Sequence, residues 1–371
     1  MTCARSRARR VLLGVAVAAV GALAVPAGVA FADPPGPTDY RSSVVSIEPS
    51  TAAIAVDIVG GDSLVRLRAE PGTEVSILGY YGEPYVRILA DGSVQQNRQS
   101  PSVAQNETRY GQGSVPAGTA SEIAARLPEW EAIGRSGEFL WHDHRAHWMS
   151  PEAPPGARPG DVVSDQEIPL LVGGTEVSVR VVTVLQPAPS RVPVAGGAIV
   201  AGFTALMLLS SRRRQAWLLA VAGAAAAGVG WWEFRSIPAD TGPSSLWVVL
   251  PAVAAVSGLL ALPLGRTLAS HALVLLGGLE LAAWVYLRRD GLVRAILPTE
   301  APGWLDRGVT AGAGVAAVVA VLAGGLALFR TPGPVAPEPA ARPRAGAAGK
   351  PTRARSRAPA ASVATWGRKR K

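Results

Sequence analysis

Cysteine is all but missing from this chain. The single one in 371 residues, Cys3, stands before the first apolar run. A lipidated cysteine would have to follow that run, so lipid attachment is not expected there. With a leader removed, the mature chain would hold no thiol. That excludes disulfides, thiolate metal ligands and a cysteine nucleophile. Lysine is nearly as scarce, confined to Lys350, Lys369 and Lys371. Positive charge is therefore carried almost wholly by arginine, and with abundant Ala, Gly and Pro this composition fits a high-GC bacterial gene. The usual enzyme fingerprints are absent as well. There is no Gly-x-Ser-x-Gly, no His-Glu-x-x-His, no P-loop and no dinucleotide-binding glycine pattern. The expectation is a protein that is not an enzyme.

What is present divides the chain. The formal charge is +9, but much of the excess lies in the first ten residues and the last forty. Cationic ends around apolar spans point to membrane topology and away from a nucleic-acid partner. Arg5, Arg7, Arg9 and Arg10, the apolar run Val11 to Val25 and the small-x-small step Ala30-Phe31-Ala32 have the order of a secretory signal peptide. Residues 1–32 are read as that leader, with an uncleaved first helix as the alternative.

Residues 33–190 read as an exported all-β domain, an immunoglobulin-like or related β-sandwich. Ile54, Val56 and Ile58 alternate with polar neighbours, as do Val65 and Leu67, Val75 and Ile77, and Val177, Val179 and Val181. Period-two alternation is the mark of strands with one wet and one dry face. Asp91-Gly92 is a hairpin signal, and Gly60-Gly61, Pro71-Gly72 and Gly173-Gly174 punctuate the rest. Asn97 to Arg135 is polar and weakly patterned, with a helical turn expected only over Glu122 to Leu127. Asn106-Glu107-Thr108 matches a glycosylation sequon and is read as chance.

The stretch Trp141 to Met149 holds three of the four histidines, His142, His144 and His147. In an extended strand His142 and His144 would face one side and Asp143 the other. The strand is expected to end near His147, before Ser150-Pro151. The end of that strand would swing His147 and Met149 towards the pair. Imidazoles suit copper, zinc and nickel, and a thioether favours reduced copper. The candidate metal ligands are thus His142, His144, His147 and Met149, with Asp143 as a supporting or alternate ligand and copper as the cofactor. Trp141 and Trp148 would form a dry shell or lie at the membrane surface. Two other readings stay open: a metal-free docking or packing element, and a proton-responsive patch. The segment Tyr80-Tyr81-Gly82-Glu83-Pro84-Tyr85 is read as a packing element between strands.

Taken together, Ser63 to Val75, Leu78 to Tyr85, Asn97-Arg98-Gln99-Ser100-Pro101, and Trp141-His142-Asp143-His144-Arg145 through Trp148-Met149 resemble a family of uncharacterised actinobacterial membrane proteins. The resemblance implies a signal peptide, an exported β-domain and a helical membrane part, with no assigned activity. Some members lie beside exported copper-handling proteins, which implies a copper-handling or other envelope partner.

Five apolar stretches follow, at 192–209, 216–232, 246–264, 271–287 and 309–329, each near the length that crosses a bilayer. Topology then places the β-domain outside the bacterial plasma membrane and the tail in the cytoplasm. Arg288, Arg289, Arg294 and Arg307 fall on the outside in that scheme, against the positive-inside rule, so four spans is the alternative. Glu280 lies mid-span and is read as a packing residue, with an ion relay as the other reading. Residues 331–371, rich in Pro, Ala and Arg, are expected to be disordered.

The reading is an envelope membrane protein whose exported domain binds copper as an accessory in metal handling. The alternatives are a metal-free assembly factor and a transporter or sensor subunit.

Overall fold

The structure, a computed structural model, describes residues 34–107, 109–110, 118–150, 152–208 and 211–330. The expected leader, residues 1–32, and the expected disordered tail, residues 331–371, lie outside the described residues.

An antiparallel β-sheet domain comes first. Its strands are β1 (Tyr40–Glu48), β2 (Ile54–Val59), β3 (Leu64–Ala69), β4 (Val75–Leu78), β5 (Pro84–Ile88), β6 (Val94–Asn97), β7 (Trp130–Gly134), β8 (Glu138–Trp141), β9 (Val162–Val172) and β10 (Thr175–Leu185). Seven of them make one sheet in the order β1-β10-β9-β4-β5-β6-β7, and β2-β3-β8 make a second. The β9–β10 hairpin turns on Gly173 and Gly174, whose φ values of 56° and 82° suit the two-residue turn that matches strand twist. Two short helices, α1 (Ser102–Gln105) and α2 (Ala120–Ala124), lie in the weakly patterned stretch. A reciprocal capping box between Thr119 and Glu122 starts α2.

The two sheets share one buried apolar cluster. Val65, Leu67, Phe139 and Trp141 enter from the small sheet, and Val75, Ile77, Val86, Ile88, Ile168, Leu170, Val179 and Val181 from the large one. These residues alternate along their strands, so the period seen in the sequence is the period of burial. Each such side chain stabilises the fold by about 1.5–3 kcal/mol.

The helical region contains α3 (Val192–Leu208), α4 (Arg212–Ser236), α5 (Leu246–Ala261), α6 (Leu268–Leu287) and α7 (Gly303–Arg330). Among the described residues, four helices are long and apolar enough to cross a membrane, and Val192–Met207 is a shorter apolar helix. Close approaches between backbones hold the bundle. A Cβ at Gly223 would stand 2.5 Å from the Ala255 nitrogen, and one at Gly258 would stand 2.6 Å from the Ala220 nitrogen. One at Gly324 would stand 2.8 Å from the Leu275 nitrogen. Small residues at such crossings let helices meet by van der Waals packing. Pro251 interrupts α5. It has no N–H for the carbonyl of Trp247 one turn earlier, and that carbonyl accepts the indole N–H of Trp284 from α6 at 2.8 Å. Glu280 is half-buried on α6 and has no ion-pair partner among the described residues.

A first prediction arises here. Gly223→Val is expected to force α4 away from α5 and cost about 1–3 kcal/mol. Thermal unfolding of the full chain in detergent checks it, with Gly228→Val, which meets no neighbouring atom within 4 Å, as the neutral comparison.

The arginines that strain the topology rule have specific partners. Arg288 is paired with Glu233 and with Asp306 (2.5 Å). Arg307 donates to the carbonyls of Gly291, Arg294 and Ala295 at 2.8–3.1 Å. Arg294 pairs with Asp39 of the sheet domain at 2.6 Å. The loop between α6 and α7 is therefore fastened to the start of β1, where Thr38 and Ile296 form a two-bond antiparallel bridge.

Candidate functional site

β8 pairs with β3 as far as Val65 opposite Trp141, and there the strand stops. The expected extension to His147 does not form. Asp143 turns the chain instead. Its side chain accepts the Arg145 N–H at 3.0 Å, and its own carbonyl accepts the Ala146 N–H at 2.8 Å. An aspartate accepting a backbone N–H two residues on mimics a turn and competes with strand pairing. The histidines are thus brought together by a turn and not by the two-residue period of a pleat.

The turn is anchored from below. Trp141 is buried and stacks on Phe139 with ring centroids 5.5 Å apart and planes at 15°. Its indole N–H donates to Asp143 Oδ2 at 2.8 Å. Arg145 closes a two-pronged pair with the same carboxylate, Nε to Oδ1 and Nη2 to Oδ2, both at 2.8 Å. Asp143 is fully buried, and burial alone would raise its pKa. The Arg145 charge and these hydrogen bonds overcome that and hold it below the usual carboxylate value. Both of its oxygens are engaged, so Asp143 positions the loop.

The β4–β5 turn clamps the other side. The Tyr80 ring stacks on His144 at 5.5 Å and 24°, and its face receives the Arg145 guanidinium at 4.9 Å. The Tyr80 hydroxyl accepts the His144 N–H at 2.8 Å and donates to Asn106 Oδ1. Asn106 is 3% exposed, which leaves no room for a glycan and fits the chance reading of the sequon. Glu83 is buried beneath the turn, accepting from Ser100 and Ser102 at 2.6 and 2.7 Å and from the Tyr81 N–H at 3.0 Å. Gly79 is required here, because a Cβ would collide with that carboxylate. Asn97 ties the same region together, donating to the Pro84 carbonyl at 2.7 Å. The β4–β5 turn and the segment from Asn97 to Asn106 are thus tied together beside one loop.

The histidines themselves cluster around His147. Its ring lies 5.5 Å from that of His144 and 6.4 Å from that of His142, both edge-on. His142 and His147 are each 1% exposed. The Nδ1 atom of His147 lies 3.2 Å from the Trp148 carbonyl. A carbonyl can only accept, so this contact places the proton on Nδ1 and leaves a lone pair on Nε2. That Nε2 is buried with no hydrogen-bond partner among the described residues. Burial, reinforced by the charge of Arg109, pushes the His147 pKa down to about 3. A neutral imidazole with a bare, buried nitrogen is the form that ligates metal.

Other candidates fall differently. Met149 is 40% exposed, so it is not enclosed with the buried histidines. Among the described residues, no group of three or more His, Cys, Asp and Glu side chains already stands as a metal cage. Asp62 and Arg109 were not legible in the sequence. Asp62 is 1% exposed and takes a two-pronged pair from Arg109 at 3.0 and 2.5 Å. They are 47 residues apart and carry no local pattern that joins them.

Comparison with family models, curated proteins and solved structures finds no match.

The depressed His147 pKa has a consequence for stability. The unfolded group titrates near 6.5 and the folded one near 3. Below pH 6.5 the unfolded chain takes up a proton that the native chain refuses. The stabilisation is complete above pH 6.5 and is lost progressively as the pH falls towards 3. The slope approaches about 1.4 kcal/mol per pH unit. Asp143, held below its ordinary value, adds its own loss only in stronger acid. Denaturation midpoints of the full chain measured from pH 7 to 4 are expected to fall, and to fall less steeply in His147→Gln. Equal slopes would show that His147 is not buried and neutral.

Proposed function

We propose that this is an envelope membrane protein whose sheet domain binds a copper ion through His142, His144 and His147, and serves as a non-enzymic accessory in metal handling. The single observation that carries the reading is the bare, buried Nε2 of a neutral His147, flanked by two further imidazoles. An unpaired buried nitrogen is costly to keep, and a metal ion removes that cost. Asp143 and Arg145 hold the loop, in the manner of groups that orient metal ligands from outside. Met149, at the surface beside the loop, is placed to meet an ion on its way in or out. That thioether, as a contact in transit and not a ligand of the histidine site, is the feature that points to copper over zinc.

The sheets sharing one core support a β-sandwich. The four long apolar helices support membrane insertion, and the shorter α3, about 25 Å at 1.5 Å per residue, serves as a fifth crossing. Five alternating crossings with an outward sheet domain leave residues 331–371 in the cytoplasm. The pairing of Arg294 with Asp39 supports placing the α6–α7 loop on the sheet domain's side. The metal-free docking reading is favoured by one observation, the exposed Met149 beside an anchored aromatic loop.

Titration of the detergent-solubilised full chain with Cu(I) under reducing conditions, with Cu(II) and with Zn(II) tests the proposal. One copper per chain, lost in the His142/His144/His147→Ala variant, is expected. A folded wild type that retains no metal would leave the docking reading in its place.

A further inference from the structure

In the helical region α3 and α4 do not close fully on each other. α3 is committed to α7 instead. A Cβ at Gly197 would strike the Gly308 carbonyl, one at Gly308 would stand 3.4 Å from the Pro193 carbonyl, and one at Gly312 would stand 3.3 Å from the Gly197 carbonyl. α4 is committed to α5 through Gly223 and Gly258. Between the two pairs runs a groove of about 460 Å³. Its walls are Pro193 to Thr204 of α3 and Leu218 to Ala225 of α4, and its floor is Trp304 to Ala316 of α7. Most of the residues that face it are Gly, Ala and Val, too short to fill it. It is open to the side, since Val200, Val221 and Trp304 on its lining are 62–67% exposed.

Its dimensions decide what fits. It starts at the helix ends nearest the sheet domain. From Pro193 to Thr204 it extends about 16 Å at 1.5 Å per residue, half of a hydrocarbon core of about 30 Å. It therefore belongs to one leaflet. Divided by that length, the volume gives a mean cross-section of about 28 Å². A helix 10 Å wide covers about 80 Å², so a helix of a second copy does not enter. Water is no better an occupant. A buried water needs two to four polar partners, and among the described residues the lining offers only the Thr204 hydroxyl and the Trp304 indole and no charge. An empty groove would forfeit contacts along its walls. A single hydrocarbon chain meets length, width and polarity together. Arg191, exposed two residues before Pro193, and Trp304 stand at the sheet-domain end, where a lipid phosphate would lie.

We propose that this groove is a binding site for one acyl chain of a bilayer phospholipid, its phosphate beside Arg191 and Trp304. The lipid fills the space between α3 and α4, and so ties the helix that follows β10 to the rest of the bundle. The inference rests on the reading of these helices as membrane-crossing and is independent of the metal reading.

The test is native mass spectrometry of the full chain in detergent with added dioleoyl phosphatidylglycerol. Gly196 lines the groove, and a Cβ there meets nothing within 4 Å. Gly196→Phe thus fills the groove without a backbone clash. Gly202→Phe is the comparison: it lies on the same helix, off the groove, and its Cβ also meets nothing within 4 Å. Both changes remove a glycine from a helix, which favours folding. Val221→Phe blocks the groove from the α4 wall and serves if Gly196→Phe does not fold. Wild type and Gly202→Phe are expected to hold one lipid per chain, and the groove variants about tenfold less. Equal occupancy in all of them, or equal loss in Gly202→Phe, would overturn the proposal. So would a wild-type dimer that Gly196→Phe dissociates, because a second copy would then fill the groove. Alkaline extraction of membranes from the same cells separates the two readings. A chain released by alkali defeats membrane insertion and the groove proposal with it. A retained chain that holds no lipid defeats the groove proposal alone.

Discussion

Arg145→Leu is expected to cost the sheet domain about 3–5 kcal/mol, the effect of breaking a buried ion pair by removing one partner. The guanidinium supplies two of the four donors to Asp143, beside the Arg145 backbone N–H and the Trp141 indole, and the carboxylate is 0% exposed. Without Arg145 the aspartate must take a proton or leave the core. Either outcome opens the turn that gathers the histidines and frees the face of Tyr80. Arg145→Lys should recover little, because a single ammonium cannot reproduce the planar fork. Asp143→Asn/Arg145→Leu together should be less damaging than Arg145→Leu alone, since no uncompensated charge is left. Denaturant midpoints of the full chain in detergent, followed through the fluorescence of buried Trp141, measure all three. A loss below about 1 kcal/mol for Arg145→Leu would be the behaviour of a solvated pair and would contradict the burial described here.

The second large effect is expected at Arg288. This residue, at the end of α6, is the only cation bonded to two buried carboxylates, Glu233 of α4 and Asp306 of α7, among the described residues. It also lies over the Trp284 ring at 4.9 Å. Arg288→Gln leaves two acids facing each other away from water. The expected cost is again about 3–5 kcal/mol. It would fall on the helices and leave the sheet largely intact. Glu233→Gln/Arg288→Gln/Asp306→Asn removes every charge of the cluster and should regain much of the loss. Heating each protein in detergent and measuring what remains monodisperse distinguishes them. If the triple variant is no better than Arg288→Gln alone, charge is not the cause.

Much of this architecture can be read from the chain because its cause is local. Burial on one face writes a two-residue period into β2, β3, β4 and β10, and four of the five apolar runs became helices of membrane-crossing length. The parts that escaped are those decided by distant or competing contacts. β7 lies in a stretch with little pattern because its residues are mostly exposed, so no dry face is written into Trp130–Gly134. The end of β8 depends on a competition between pairing with β3 and the Asp143 turn, and nothing in His142-Asp143-His144 alone declares the winner. Arg109 meets Asp62, and Arg294 meets Asp39 from 255 residues away, through tertiary packing that no local spacing encodes. The histidine cluster was visible as composition, but its geometry was not. Asp143 turned out to be held by Arg145 and Trp141, and Met149 lies outside the buried group.

The most direct measurement is X-ray absorption at the copper edge on the full chain loaded with one equivalent of Cu(I), beside the His142/His144/His147→Ala variant. The expected result is a first shell dominated by nitrogen, with the outer-shell scattering of imidazole rings, and no retained copper in the variant. A sulfur-dominated shell, or copper retained equally by the variant, would contradict the histidine site.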